Sequence, residues 1–288
     1  MTTQWIDYKI LHSGNGNKLE NWGEVILLRP DPQAIWNSAI DMHQYPNLSM
    51  VYERSSEGGG IWHTKKKTAQ EWTVKCTIQD KPFEFLVKPM GFKHTGLFPE
   101  QIINWEKCYQ LIKRQITKRQ PRVLNLFGYT GAASVVCAVA GATVCHIDAA
   151  KNMVDRCKKN AELNGVSNIR YIVDDCLKFV QREQKREKFY DAIIMDPPSY
   201  GRGPNGEMWK LEDNIETLIQ ECAKLLSDTP LFFLLNSYTT GLQPLVLSNL
   251  LQINLPKGNI KAYEVGIPTQ DRDIVLPCGC SGLWTNLS

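Results

Sequence analysis

The chain has 288 residues, 43% hydrophobic and 22% charged, with a formal net charge of +3. At about 100–200 residues per domain this length means one large domain or two unequal ones, and the composition excludes global disorder. No run approaches the roughly 18–20 uninterrupted apolar residues of a membrane span. Residues 1–7 have neither the basic nor the apolar region of a secretory signal, so a cytoplasmic protein is expected. Nine cysteines without a Cys-x-x-Cys pair favour reduced, mostly buried thiols over disulfides or zinc, and no metal is expected. The small positive charge permits a nucleic-acid partner without requiring one.

In chain order, the first 90 residues hold five of the eight tryptophans. They read as strands at 5–11 and 24–28 around the turn residues Ser13-Gly14-Asn15-Gly16-Asn17. A helix is predicted from Pro32 to about Met42, opened by Asp31 as N-cap with Pro32 at its first position. After the breaker Glu57-Gly58-Gly59-Gly60, strands are predicted at 71–78 and 83–87 around the turn Asp80-Lys81-Pro82. So small a module has a poor surface-to-volume ratio. Its tryptophans therefore read as core before they read as a base-stacking surface.

From Gln101 the pattern becomes an alternation of helices and strands. Helices are predicted at 101–118, 132–140, 151–163, 177–185, 213–226 and 242–251. Strands are predicted at 123–127, 143–147, 169–173, 192–195, 231–235, 262–265 and 274–276. Near-continuous apolar strands separated by helices indicate an α/β, doubly wound, Rossmann-like sheet of seven strands. The division expected is a small α+β (strand-strand-helix-strand-strand) domain over 1–90, assigned to substrate recognition, and a catalytic domain over 91–288.

In such sheets ligands bind beyond the carboxyl ends of the strands. After the first strand comes Phe127-Gly128-Tyr129-Thr130-Gly131, a tight turn that brings backbone amides toward a ligand ahead of a helix. It is neither Gly-x-Gly-x-x-Gly nor a P-loop. Asp148, after the second strand, is placed to accept two ribose hydroxyls, and an N-cap role is its bland alternative. Asp175, beside Cys176 after the third, could accept from an adenine amine. This set fits S-adenosylmethionine better than NAD, whose chemistry also wants a proton relay, and His146 lies inside a strand. After the fourth strand, Asp196-Pro197-Pro198-Ser199-Tyr200 is the most specific element. Its prolines fix a rigid exit with outward carbonyls, Asp196 can orient substrate or cofactor, and Tyr200 offers a stacking ring.

The runs Leu124–Gly131, Asp148-Ala149-Ala150-Lys151, Lys159–Gly165 and Asp196–Tyr200 resemble the class I S-adenosylmethionine-dependent methyltransferases. They are most similar to the branch typified by bacterial 23S ribosomal RNA methyltransferases, the cytosine-C5 and guanine-N7 enzymes. Gly91–Gln101 is similar to that branch's Lys-Thr-Gly-Phe/Leu-Phe-x-x-Gln segment. The strand ends and the resemblance together imply a cofactor site of Phe98, Asn125, Phe127, Gly128, Thr130, Gly131, Asp148, Asp175, Cys176 and Asp196. They imply catalytic roles for Asp196, Pro197, Pro198 and Tyr200, and ribosomal RNA or a ribosomal subunit as partner.

Methylating C5 of a pyrimidine requires a thiolate to add at C6. The positions where the C5 enzymes carry that cysteine hold Ser199 and Ser237, and Cys278 and Cys280 read as packing. Direct transfer to a ring nitrogen, exocyclic amine or oxygen is therefore expected, with a nitrogen of a ribosomal RNA base as the leading reading. The rivals are a methyltransferase acting on a small molecule or protein, a non-catalytic protein that binds S-adenosylmethionine or RNA, and a nicotinamide enzyme. Lys65-Lys66-Lys67 and the basic helix after Gln101 lean toward RNA, although either could be a merely solvated surface.

Overall fold

A computed structural model describes residues 2–55, 59–116, 119–202 and 208–286. Glu57 and Gly58 of the predicted breaker and Thr117 and Lys118 of the predicted helix lie outside the described residues. The chain forms two compact units. One comprises residues 1–106 and 266–278, and the other 107–265 and 279–288. The short segment 266–278 thus belongs with the first unit, although the sequence pattern assigns it, like everything after residue 90, to the second.

The first unit is built from two sheets. Strands β1 (Gln4–Trp5), β7 (Trp72–Ile78) and β8 (Lys81–Val87) form one, in the order β1-β7-β8. Strands β2 (Tyr8–Gly14), β3 (Asn17–Trp22), β4 (Val25–Pro30), β5 (Met50–Arg54) and β6 (Gly60–Thr64) form the other in sequential order. Between β2 and β3, Asn15 and Gly16 take φ of 51° and 71°, the left-handed pair of a tight hairpin turn. Gln79 and Asp80 do the same between β7 and β8, so Lys81 and Pro82 open β8 at the sheet's edge, where proline is tolerated.

The helix predicted from Pro32 to Met42 does not form, and only a single 3-10 turn, Met42–Gln44, follows that stretch. Asp31 does accept the amide of Gln33, at 3.2 Å. The carbonyls of Ala34 and Trp36, which a helix would use internally, instead accept the amides of Gly16 and Asn15 at 2.8 and 2.7 Å. A Cβ on Gly14 would stand 2.5 Å from the amide nitrogen of Ser38, so the hairpin accepts this segment only because residue 14 is glycine. The small domain is therefore a sheet structure rather than strand-strand-helix-strand-strand.

Strand β3 escapes the alternation rule because it buries a charge. Glu20 is fully buried and accepts from Arg29 Nε at 2.6 Å, Arg29 NH2 at 2.7 Å and the Tyr8 hydroxyl at 2.9 Å. The tryptophans do serve packing. Trp22 is fully buried, and the indoles of Trp5, Trp36, Trp62 and Trp72 donate to the carbonyls of Pro99, Ser13, Met90 and Trp22.

Helix α1 (Ile102–Gln115) leads into the second unit. There β9 (Arg122–Leu126), α2 (Ala132–Val139), β10 (Thr143–Asp148), α3 (Lys151–Leu163), β11 (Ile169–Val173), α4 (Cys176–Lys185) and β12 (Ala192–Met195) follow. A short ribbon of β13 (Tyr200–Arg202) and β14 (Met208–Lys210) precedes α5 (Leu211–Ala223). The chain ends with β15 (Phe232–Ser237), α6 (Pro244–Asn254), β16 (Asn259–Pro268) and β17 (Val275–Thr285). The seven-stranded sheet has the order β11-β10-β9-β12-β15-β17-β16. Its pairings are parallel from β11 through β15, whereas β17 runs antiparallel to β15. Every residue of β12 and β15 is buried, as expected of strands covered on both faces. The chain winds outward in one direction from β9 and in the other from β12, so the switch point lies between them. Among the described residues no helix is long and apolar enough to cross a membrane.

Candidate active site

The carboxyl ends of β9, β10, β11 and β12 bring most of the expected residues to one edge of the second unit. The loop after β9 is held in a conformation that its side chains disfavour. Phe127 and Tyr129 have φ of 54° and 51°, and Gly131 has 84°. Bulky residues persist in the left-handed region only where surrounding bonds over-determine them. Here the Phe127 amide donates to Cys176 Sγ at 3.3 Å, that of Gly128 to the Ile147 carbonyl at 2.9 Å, and that of Tyr129 to Asp148 Oδ2 at 2.8 Å. Asn160 caps the Thr130 carbonyl at 2.8 Å. The Gly131 amide donates to the Gly128 carbonyl at 3.0 Å, so the amides of Phe127, Gly128, Tyr129 and Gly131 are all taken inside the protein and shape the loop instead of pointing at a ligand as the sequence pattern suggests.

The two glycines are required by close approach. A Cβ on Gly128 would lie 2.4 Å from the His146 ring, and one on Gly131 would lie 2.0 Å from Cys157 Sγ. His146 is fully buried beneath the loop, and burial pushes its pKa down to about 4, so the ring is neutral at pH 7. Its Nδ1 lies 3.0 Å from the Ser134 hydroxyl, which also accepts from the Asn125 amide at 2.8 Å. Asn125 is itself buried and braces α2 against β9.

Asp148 closes β10. Its two oxygens accept the amides of Ala150 at 2.9 Å and Tyr129 at 2.8 Å, yet burial outweighs these bonds and holds the carboxyl above its ordinary range. An ionised carboxylate has about four acceptor positions, so each oxygen retains capacity for a further donor. Asp175 caps α4, accepting the Lys178 amide at 2.9 Å, and its side chain is exposed. Phe98 lies in the other compact unit, its ring edge-on to His94 at 5.4 Å.

The loop after β12 carries Asp196, half-buried, and Pro197, buried. The Pro198 carbonyl accepts the Trp209 indole at 2.7 Å, and the Trp209 ring packs on Phe127 at 6.2 Å. The Ser199 carbonyl accepts the Leu211 amide at 3.1 Å, and its hydroxyl accepts from Thr239 at 2.6 Å. Ser237 Oγ accepts the Thr239 amide at 3.1 Å, so one threonine ties both serines. Sequence reasoning missed Trp209 and Thr239, because nothing local marks a residue that acts across 11 or 40 positions of chain.

The model of the S-adenosylmethionine-dependent methyltransferase family matches residues 78–235, more than half of the chain. The chain belongs to the S-adenosylmethionine-dependent methyltransferases. S-adenosylmethionine is accordingly the cofactor of this methyltransferase. A crystal structure of the SAM-dependent methyltransferase from Agrobacterium tumefaciens is 33% identical and superimposes with a TM-score of 0.89, over 99% of this chain and 92% of that one. Ribosomal RNA large subunit methyltransferase K/L of Shewanella frigidimarina is 30% identical over 193 residues, 66% of this methyltransferase and 25% of the relative. Ribosomal RNA large subunit methyltransferase I of Aeromonas salmonicida is 28% identical over 169 residues, 54% of this chain and 40% of the relative. The methyltransferase thus spans about a quarter to two fifths of the length of these curated relatives.

Proposed function

We propose that this methyltransferase transfers a methyl group directly to a ring nitrogen or exocyclic amine of a ribosomal RNA base. The observation that carries the nitrogen assignment is the state of the thiols and hydroxyls. Burial raises the pKa of Cys280 to about 11 and of Cys76 to about 12, and pushes Cys157, Cys176, Cys222 and Cys278 higher still. A thiol so placed is protonated at pH 7 and is no nucleophile. Cys280 pairs with Ser237 across β15 and β17 but donates to the Leu242 carbonyl at 2.7 Å. Ser199 and Ser237 are held by Thr239, with no base among their hydrogen-bond partners in the described residues. The RNA assignment is supported by the two ribosomal RNA methyltransferase relatives.

When bound, the cofactor supplies an electrophilic methyl group on a sulfonium. In this reading Asp148 accepts the ribose hydroxyls, while Phe127, Gly128, Thr130, Gly131, Asn125, Asp175 and Cys176 form or brace the surrounding wall. Asp196 and the Pro197 carbonyl receive the donor hydrogens of the acceptor base and align its lone pair, while the Pro198 carbonyl is taken by the Trp209 indole. A guanine N7 has no proton to lose, and an amine loses its own after transfer, so neither needs a strong base. Alignment of this kind is worth about 7–11 kcal/mol in well-oriented intramolecular reactions. Residues 1–90 serve substrate recognition in this reading.

The test is radiolabelled methyl transfer to deproteinised ribosomal RNA and to intact subunits from a deletion strain, followed by nucleoside mass spectrometry. A methylated nitrogen in one nucleoside is expected, with Asp196→Ala abolishing transfer. Label entering only small molecules or protein would overturn the RNA assignment, and a C5-methylpyrimidine would overturn the mechanism.

A further inference from the structure

The β13–β14 ribbon leaves the sheet directly after the Asp196–Ser199 loop and pairs Tyr200 with Lys210, Gly201 with Trp209 and Arg202 with Met208. Alternate strand residues face opposite ways. Gly201 and Trp209 therefore share one face, and Tyr200, Met208 and Lys210 share the other. The first face is fastened down, since Trp209 donates to Pro198 and packs on Phe127. A Cβ on Gly201 would meet Trp209 at an ordinary 3.7 Å, so the packing of this face rests on Trp209 and not on the glycine. The second face is open. Tyr200 is 63% exposed, Met208 is 60% exposed and Lys210 is exposed.

An isolated two-stranded ribbon has no core of its own, so its anchoring must come from the loop it grips. A large aromatic, a methionine and a lysine together on a solvated face make poor packing and a good nucleotide surface. A ring and a thioether stack on a base of any sequence, and an ammonium meets the adjoining phosphate.

We propose that the open face of the β13–β14 ribbon receives a nucleotide flanking the acceptor, with Tyr200 and Met208 against its base, Lys210 against a phosphate, and Trp209 acting as a positioning residue that holds the ribbon to the Pro198 carbonyl. This rests on the RNA reading above. It assigns the RNA-contacting residues Met208 and Lys210, and the positioning role of Trp209, to a segment outside the strand-end loops. Because Trp209 also touches Phe127, the same indole sets the ribbon's position against the loop after β9.

The experiment measures binding of deproteinised ribosomal RNA as a function of salt, together with steady-state methylation, for the full chain and for Lys210→Gln, Tyr200→Leu and Trp209→Phe. Lys257→Gln, an exposed lysine beyond α6, is the control and should match the wild type. Lys210→Gln should make the slope of log K against log salt shallower by about 0.7–0.9, the loss of one phosphate contact. Tyr200→Leu should weaken RNA binding about tenfold through lost stacking. Trp209→Phe keeps a ring on Phe127 but removes the N–H. It should lower kcat about tenfold while KM for RNA changes less than twofold, a split that general unfolding does not produce. An unchanged salt slope in Lys210→Gln overturns the proposal while leaving the RNA assignment standing. A wild type that binds and labels no RNA removes that assignment, and the proposal with it.

Discussion

Asp148 Oδ2 accepts the amide of Tyr129 at 2.8 Å, so the carboxylate that closes β10 also holds the loop that follows β9. One side chain thereby sets the loop and, in the proposed reading, accepts the cofactor ribose, and the two roles separate under mutation. Asp148→Asn should weaken S-adenosylmethionine binding about 10- to 100-fold, the range for lost hydrogen bonds to a charged acceptor, as calorimetry would show. Its effect on stability depends on pH. Burial raises this carboxyl's pKa in the folded chain, so ionisation there costs stability as pH rises through the folded value. The Asn variant escapes that cost. The Tm of Asp148→Asn relative to wild type should therefore be most favourable at pH 7 and decline toward pH 4. A constant difference across that range would mean that the carboxyl is not strained by burial.

Acid should also unfold the protein through His146. Its pKa is depressed to about 4 from an ordinary 6.5, so the neutral ring's stabilisation is complete above pH 6.5 and lost progressively as pH falls toward 4. The span corresponds to about 3 kcal/mol. Urea titrations at intervals between pH 7 and 4 should show this slope in the wild type and a flatter one in His146→Asn. Parallel profiles would assign the acid sensitivity to other groups.

Gly131→Ala places a methyl group 2.0 Å from Cys157 Sγ at a φ of 84°. Left-handed backbone costs a non-glycine residue about 1–2 kcal/mol before any clash is counted. The variant should lose several degrees of Tm and most of its cofactor affinity. Adding Cys157→Ala should restore part of the stability, because it removes the Sγ contact and leaves the 2.7 Å approach to the Cys157 Cβ together with the backbone term. Full restoration by the double variant would show that φ at this position carries no strain.

In the first unit, Glu20→Ala should cost about 3–5 kcal/mol in chemical denaturation, since it strands the buried Arg29 guanidinium. Pairing Glu20→Leu with Arg29→Met should recover much of that loss, because the desolvation penalty goes with the charges. A double variant no better than Glu20→Ala would mean that the remaining partners, Tyr8, Lys18 and the Lys93 carbonyl, depend on the pair for their own placement.

From residue 101 to 254 the elements other than the β13–β14 ribbon, which the sequence reading missed, were legible because each is announced locally. The central strands are near-continuous apolar runs, and α3 occupies 151–163 as predicted, closed by Asn164-Gly165. Asp148, Asp175 and Asp196 could be found because a parallel sheet sends its strand ends to one edge. The N-terminal unit resisted reading for a definite reason. Its β3 hides behind Glu20, and the capping signal at Asp31 is overruled by hydrogen bonds from Asn15 and Gly16, which belong to a different strand turn.

The sequence by itself therefore determined the seven-stranded sheet, the cofactor class and which side chains stand at the strand ends, since periodicity and turn chemistry act over a few residues. Only the tertiary structure decided that the loop's amides turn inward, that Trp209 grips Pro198, and that residues 266–278 pack with the first unit. Those outcomes depend on which distant groups come within hydrogen-bonding distance, and that follows from packing rather than from local sequence.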